Sequence, residues 1–288
     1  MNEFKSQSHF EKILVPVDGS RQSLFAEELA ADIAKEFESR ITVIHVVSHD
    51  YMPPRIIDYE IPSSVVSEIT GWFLEKGEAI LSNAEALFRE EGLEVDSRLI
   101  RYEDPAETIL RVAKEENYSL VIMGDLKKSE SERSLLGSVA EKVLRHAECP
   151  VLIVKKETRP TKILVAVDGS EAAELAVDYG AELALGYGAD ITLLNVQESS
   201  LFGFKPEVVR EVGNKILSKA AERIKSLEPD TKLQFGDPSE TIMRVAQNQN
   251  YDLVVMGSRG LSGVERFFLG SVSDDVTRHG TRSVLIVR

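Results

Sequence analysis

The sequence predicts an α/β fold: two tandem, open, mostly parallel five-stranded sheets with helices on both faces. Three observations predict it. The chain has 288 residues, it repeats internally, and in each repeat short apolar runs alternate with stretches of helical periodicity. This alternation is typical of βαβ crossovers in a parallel sheet. With 43% hydrophobic and 28% charged residues, each repeat is long and apolar enough to bury its own core.

Three segments of the first half return in the second half. They are residues 12–20 (KILVPVDGS), 104–109 (DPAETI) and 120–124 (LVIMG), which return as 162–170 (KILVAVDGS), 237–242 (DPSETI) and 253–257 (LVVMG). The first half holds extra residues between its second strand and Asp104, at about 48–76. We therefore predict two domains, 1–155 and 156–288.

Each repeat begins with a β-branched run that ends in Asp-Gly-Ser, which predicts a buried strand, a turn and a helix N-cap. A helix with regularly spaced apolar residues follows. The next Asp-Pro predicts another cap, with proline at the first helical position. The second, third and fifth strands are expected at 41–47, 95–100 and 151–154, with counterparts at 191–196, 233–235 and 284–287.

The extra residues of the first half read as a loop or lid, followed by a helix from about Val65 to Glu91. The apolar side chains of this helix include Trp72 and Phe73. We expect them to face the core, and a surface for a partner is the alternative.

A glycine-rich stretch follows the fourth strand of the second half. Gly257 and Gly260 precede Gly270-Ser271, where a last helix is expected to start with Ser271 as its N-cap. Ser138 is expected to cap the matching helix of the first half. Glycines allow close backbone approach, and the first amides of a helix attract anions, so the stretch predicts a phosphate site. Its spacing fits neither the common P-loop nor the dinucleotide fingerprint. The alternative is that these are only turn and cap glycines.

Asp168 lies at the carboxyl end of the first strand of the second half, and Gly257 at that of the fourth. In open α/β sheets ligands bind beyond the carboxyl ends of the strands, at the switch point. We therefore expect Asp168 and Gly257 to face one crevice.

These residues resemble a known family. Nucleotide-binding universal stress proteins carry Val-Asp-Gly-Ser after the first strand and, far downstream, Gly-x-x-Gly followed by nine residues and Gly-Ser. The chain is similar to two such domains in tandem. The resemblance implies a Rossmann-like, adenine nucleotide alpha hydrolase-like fold. It also implies an intramolecular pseudo-dimer, open to further homodimerisation. The implied function is a stress-response regulatory protein that binds ATP, or AMP or ADP, with or without Mg²⁺.

By the same resemblance, Asp168 holds the ribose, the backbone near Val196 contacts adenine, and the glycines and serines of the loop receive phosphates, with Arg259 as a charged contact. The implied binding residues of the second half are Ala166, Val167, Asp168, Val196, Met256, Gly257, Arg259, Gly260, Gly270, Ser271, Val272 and Ser273.

The first half departs from the pattern because Lys127 replaces the second glycine and Asp125 would repel phosphate. We expect a weaker site there, for adenosine or a monophosphate. Its implied residues are Val17, Asp18, Val46, Gly124, Lys127, Gly137 and Ser138.

Other functions are disfavoured. The net charge of −14 argues against a nucleic-acid partner, and the lack of a long apolar run argues against a membrane and favours a cytoplasmic protein. The single cysteine, Cys149, is expected to be a structural thiol, and His45 and His49 are not expected to bind metal. No general base or carboxylate pair is evident, so we expect no catalytic residue. A slow ATP hydrolase or phosphotransferase, and a scaffold with a structural nucleotide, remain alternatives.

Overall fold

Strands and helices alternate along the chain in a computed structural model, which describes residues 8–48, 63–125, 136–156, 159–198, 205–260 and 269–288. The strands in these ranges are β1 (Lys12–Pro16), β2 (Arg40–Ser48), β3 (Val95–Glu103), β4 (Leu120–Gly124), β5 (Val151–Val154), β6 (Lys162–Ala166), β7 (Asp190–Gln197), β8 (Asp230–Phe235), β9 (Leu253–Gly257) and β10 (Ser283–Val287). The helices are α1 (Arg21–Phe37), α2 (Ser63–Glu90), α3 (Pro105–Glu115), α4 (Ser138–His146), α5 (Glu171–Tyr187), α6 (Pro206–Arg223), α7 (Pro238–Asn248) and α8 (Ser271–His279).

The strands form one sheet in the order β3-β2-β1-β4-β5-β10-β9-β6-β7-β8. Neighbouring strands are parallel within each half. The halves meet where β5 pairs antiparallel with β10, with Leu152 opposite Leu285. The predicted α/β fold with five mostly parallel strands in each half is confirmed, and the two sheets join edge to edge. The strand order reverses between β1 and β4, and between β6 and β9, which places a switch point in each half.

Side chains cap four helices as the sequence predicts. Ser20 and Ser170 cap α1 and α5 by accepting the amide three residues further on. Asp104 and Asp237 do the same for α3 and α7, and a proline fills the first helical position after each. These backbone hydrogen bonds lower the pKa of both aspartates.

Apolar side chains fill one layer on each face of the sheet. Ile13 and Val15 of β1 pack in the layer beneath α1, α2, α5 and α6, while Leu14 between them packs on the opposite face, beneath α3, α4, α7 and α8. Burial on both faces explains why the central strands are continuous apolar runs instead of alternating ones. Each fully buried side chain of this size contributes roughly 1.5–3 kcal/mol.

The long helix predicted after the extra segment is present as α2, and it is longer than its counterpart α6. Its second half packs on the core through Leu81, Ala84 and Phe88, all buried. Residues 49–62 of the extra segment lie outside the described residues. Within the ranges that the structure describes, no helix is long and apolar enough to span a membrane.

Reciprocal ion pairs join α4 and α8 across the junction of the halves. Arg145 on α4 donates to both carboxylate oxygens of Asp274 on α8 at 3.1 Å, and Arg278 on α8 donates to Glu141 on α4. Each arginine also pairs with the acid one turn earlier on its own helix, Arg145 with Glu141 at 3.4 Å and Arg278 with Asp274 at 2.9 Å. Glu141 and Arg145 occupy the same repeat positions as Asp274 and Arg278. These four residues, the α4–α8 quartet, therefore form a contact with two-fold symmetry.

A short N-terminal segment attaches the first half to α5. The Nδ1 atom of His9 lies 2.5 Å from a carboxylate oxygen of Glu182, and Ser8 donates to the other oxygen at 2.6 Å. The hydrogen bond to Glu182 raises the pKa of His9, and burial offsets part of that rise. Burial opposes the charge of Glu182, but the hydrogen bonds from His9 and Ser8 outweigh it and lower the pKa of this carboxyl.

The pair between His9 and Glu182 predicts a pH-dependent stability. The pKa of His9 in the folded chain lies above its ordinary value of 6.5, so its stabilising contribution is complete below about pH 6.5 and is lost as the pH rises through the folded pKa. We expect the melting temperature of the wild type to decline relative to that of His9→Gln as the pH rises above about 6.5 and through the folded pKa of His9. If the difference in melting temperature between the two proteins does not change with pH, the pair between His9 and Glu182 does not contribute to stability in this way.

Candidate functional site

The carboxyl end of β6 fixes an aspartate beside the start of α5. Oδ1 of Asp168 accepts the amide of Ser170 at 3.0 Å and the hydroxyl of Ser170 at 2.6 Å. Ser170 in turn caps α5 and contacts the carbonyl oxygen of Arg259 at 3.3 Å. The turn after β6 and the loop after β9 are therefore in direct contact, as the sequence predicts for Asp168 and Gly257.

Gly260 lies against the carboxylate of Asp168. A Cβ atom on Gly260 would be 2.5 Å from Oδ2 of Asp168, so a side chain there requires the carboxylate or the loop to shift. The second glycine of the loop therefore lets the backbone lie against the carboxylate of Asp168 in its present position. This is a close approach of backbone to a functional group, which is the use of glycine that the phosphate interpretation requires.

The first glycine of the loop has a packing role in both halves. A Cβ on Gly257 would lie 2.8 Å from the carbonyl carbon of Ala172 in α5, and one on Gly124 would overlap the backbone of Gln22 in α1. The end of the strand and the start of the helix touch through their backbones, with no room for a side chain. A glycine is therefore needed at Gly124 whatever the site binds. Lys127, which replaces the second glycine of the first half, lies outside the described residues.

The N-terminus of α8 differs from the prediction. Gly270 is the N-cap residue and Ser271 is the first residue of the helix, so the prediction that Ser271 caps it was wrong. The same holds for Ser138, which follows the N-cap residue Gly137 in α4. The backbone explains this, because the amide of Gly270 donates to the carbonyl of Ser258 at 2.7 Å and ties the two ends of the loop together. A glycine cap offers no side-chain acceptor, so the first amides of each helix remain available to an anion.

Several predicted residues of the second half have structural partners. Ser273 is buried, and its hydroxyl donates to the carbonyl of Gly257 at 2.8 Å, so only its backbone amide is left for a ligand. Met256 is buried in the core and pairs with Ala166 across the two central strands. Val167 is buried, Val196 is partly buried near the end of β7, and Val272 packs against the core from α8.

Polar side chains at the end of β7 were not identified from the sequence. Asn195 donates to the carbonyl of Val167 at 2.7 Å, and Gln197 donates to Asn195 at 2.7 Å. In the first half a ring nitrogen of His45 lies 2.7 Å from the carbonyl of Val17. His45 and Asn195 occupy equivalent positions, and aligning the repeats through the second strand would have shown this. Each holds the strand end next to the crevice.

The crevice of the first half is a cavity of about 330 Å³. The predicted residues that line it are Val17, Asp18, Val46, Gly124, Gly137 and Ser138. Trp72 and Phe73 of α2 line it as well, and Trp72 is 53% exposed. The prediction that Trp72 faces the core was wrong. The N-terminal part of α2 borders this cavity instead, through Trp72 and Phe73.

Charges near the two crevices differ. Ser258, after β9, corresponds to Asp125 after β4, so a carboxylate stands where the second half has a hydroxyl. Burial, with a smaller contribution from neighbouring Arg259, lowers the pKa of Arg288 to about 10. A second positive charge thus lies close to Arg259 in the second half. Burial raises the pKa of Cys149 to about 11, which keeps this thiol protonated and supports a structural role.

The structure offers no support for a metal site in the parts it describes. Among the described residues, no three His, Cys, Asp or Glu side chains form a group that could hold a metal ion. The ring of His45 is engaged with the Val17 carbonyl, and His49 lies outside the described residues.

Comparison with known proteins gives a consistent result. The model of the universal stress protein family matches residues 9–155 and again 160–288. A universal stress protein of Mycobacterium bovis is 27% identical over 293 residues, which cover 96% of each chain. One from Methanocaldococcus jannaschii is 37% identical over 147 residues, 51% of this chain and 83% of the relative. The crystal structure of a universal stress protein from Archaeoglobus fulgidus superposes with a TM-score of 0.72 and 25% identity, and covers 98% of this chain and 99% of that one.

Proposed function

The chain belongs to the universal stress protein family as a tandem of two of its domains, and from this premise we propose that its second half binds ATP and that the occupied site regulates the first half. The observation that carries the proposal is the contact of Gly260 with Asp168 at the switch point. We place the domain boundary between residues 155 and 156.

The residues of the second crevice fit an adenine nucleotide. Asp168 has one carboxylate oxygen held by Ser170, and its side chain is only partly buried, so it can accept hydrogen bonds from ribose hydroxyls. The free amides at the start of α8 and the backbone at Gly260 would receive phosphates. Arg259 would add positive charge. The backbone near Val196 would contact the base.

The α4–α8 quartet supports a regulatory role. A phosphate bound at the N-terminus of α8 would contact the same helix that carries Asp274 and Arg278, less than two turns further on. Those two residues pair with Arg145 and Glu141 on α4. A small shift of α8 on binding would therefore be transmitted to the helix that lines the first crevice. In this proposal the two halves act as an intramolecular pseudo-dimer.

The proposal is tested by extracting nucleotide from the purified protein and by titrating the stripped protein with ATP in a calorimeter. We expect adenine nucleotide in the extract or saturable ATP binding by the stripped protein. Asp168→Ala should weaken the affinity for ATP about tenfold or more, since a hydrogen bond to a charged group contributes about 1.5–3 kcal/mol. Asp18→Ala, the matched change in the first half, should leave ATP affinity unchanged. Absence of adenine nucleotide in both assays would refute the proposal.

A further inference from the structure

The two crevices can be aligned through the helices that cover them. Ile80 of α2 lies over Gly19 and Ile216 of α6 lies over Gly169, because a Cβ on either glycine would first meet the Cγ1 atom of that isoleucine, at 3.0 and 3.4 Å. Gly19 and Gly169 are equivalent in the repeat, so α2 and α6 correspond residue by residue in this region. The residues that line each crevice can then be compared directly.

The covering helices differ at the crevice. Where α6 carries Val208, Val209 and Val212, α2 carries an aromatic pair and a cation, and these side chains line the cavity of about 330 Å³. They are Trp72, Phe73 and Lys76. The two rings meet edge to face with their centres 4.9 Å apart, and Nζ of Lys76 lies 5.5 Å over the indole. These two contacts restrict the orientation of the indole of Trp72.

The floor of the first crevice also differs. Ser23, which lines the cavity, donates to Glu27 at 2.8 Å and accepts the amide of Asp18 at 3.3 Å. The second half has Ala173 and Val177 at these two positions. Burial raises the pKa of Glu27, and the hydrogen bond from Ser23 offsets part of the rise. The exposed carboxylate of Asp18 stands above this floor as a hydrogen-bond acceptor.

We propose that the first crevice is a separate site for a small planar aromatic ligand that stacks on Trp72 and donates a hydroxyl or N–H hydrogen bond to Asp18. The volume lies near the lower end of ligand pockets, about 300 Å³, which fits a two-ring molecule. The aromatic walls supply a stacking surface that the valines of the second half lack. Asp125 places a carboxylate where the second half has Ser258, which disfavours a polyphosphate in the first crevice. The chemistry fits a nucleoside and a non-nucleoside phenol equally.

The test is calorimetry with two planar probes, adenosine and 2-naphthol, and with decahydro-2-naphthol, which keeps the carbon skeleton and the hydroxyl but is not planar. We expect saturable binding of at least one planar probe and at least tenfold weaker binding of the saturated alcohol. Binding of adenosine alone identifies a nucleoside site in the first crevice if Trp72→Val weakens it, because adenosine can also enter the second crevice, and binding of 2-naphthol identifies a broader aromatic site. Because Trp72 is the single tryptophan of the chain, quenching of its fluorescence by adenosine is a second readout.

Variants separate this proposal from ATP binding in the second half. Trp72→Val and Lys76→Val copy α6 at exposed positions, so we expect them to fold. Trp72→Val should weaken the planar probe about tenfold or more and leave ATP affinity unchanged. Val208→Ala, at the matching position of α6, should change neither the affinity for the planar probe nor the affinity for ATP. The proposal is overturned if neither planar probe binds, if the saturated alcohol binds as tightly, or if Trp72→Val binds the planar probe like the wild type.

Discussion

Replacing Gly260 by glutamate is expected to lower ATP affinity by about 100-fold or more. The Cβ atom alone would lie 2.5 Å from Oδ2 of Asp168, so the aspartate must leave its position or the loop must move. The added carboxylate would also repel the phosphates. Loss of two hydrogen bonds to charged groups at about 1.5 kcal/mol each already corresponds to more than 100-fold. Gly260→Ala, which has the steric effect without the charge, should fall between the wild type and the glutamate variant in the same calorimetric titration.

Two other glycines serve as controls for this experiment. Gly260 is exposed, so its variants should melt like the wild type, whereas Gly257→Ala forces a Cβ against the backbone of Ala172 and should destabilise the fold by about 1–3 kcal/mol. Gly71→Ala on α2 meets no atom within 4 Å and should leave ATP affinity unchanged. Wild-type affinity in Gly260→Glu would mean that nucleotide does not occupy this loop.

Removing Arg278 is expected to destabilise the protein by about 1–2 kcal/mol, between the values for exposed and buried ion pairs. Its side chain is only 16% exposed and contacts both Glu141 and Asp274, so Arg278→Ala leaves two carboxylates without this partner. The side chain of Arg145 is 37% exposed, so Arg145→Ala should lower the free energy of unfolding by less. Unfolding in urea measures both variants, and a double-mutant cycle between Arg278 and Glu141 isolates their coupling.

A surface-exposed ion pair serves as the control for the α4–α8 quartet. Lys225 and Glu222 form an ion pair whose side chains are more than two-thirds exposed, so Lys225→Ala should produce no measurable change. If Arg278→Ala unfolds at the same urea concentration as the wild type, the quartet does not hold α4 and α8 together. The coupling of the second site to the first half would then need another physical route.

The repeat made most of the fold predictable. Its matched segments determine the strands, and the motifs Asp-Gly-Ser and Asp-Pro predict the caps at Ser20, Ser170, Asp104 and Asp237, because these caps depend on local backbone geometry. The contact between the ends of β6 and β9 follows from the strand order of a parallel sheet. Position in the sheet was therefore enough to bring Asp168 and the loop together.

Features set by long-range packing were not predictable in the same way. Gly270 and Ser271 are both acceptable N-caps, and the choice depends on the hydrogen bond from Gly270 to Ser258. The exposure of Trp72 depends on how far α2 extends beyond the core, which its apolar spacing does not encode. The quartet left a signal in the sequence, because Arg145 and Arg278 occupy equivalent repeat positions, but only the antiparallel pairing of β5 with β10 brings them together.

Native mass spectrometry of the nucleotide-free chain with added ATP tests the central claim most directly, because it counts bound nucleotides. We expect one ATP per chain in the wild type and in Asp18→Ala, and a much lower occupancy in Asp168→Ala at the same ATP concentration. Two ATP per chain, or a single ATP that is unaffected by Asp168→Ala and lost in Asp18→Ala, would contradict ATP binding in the second half alone.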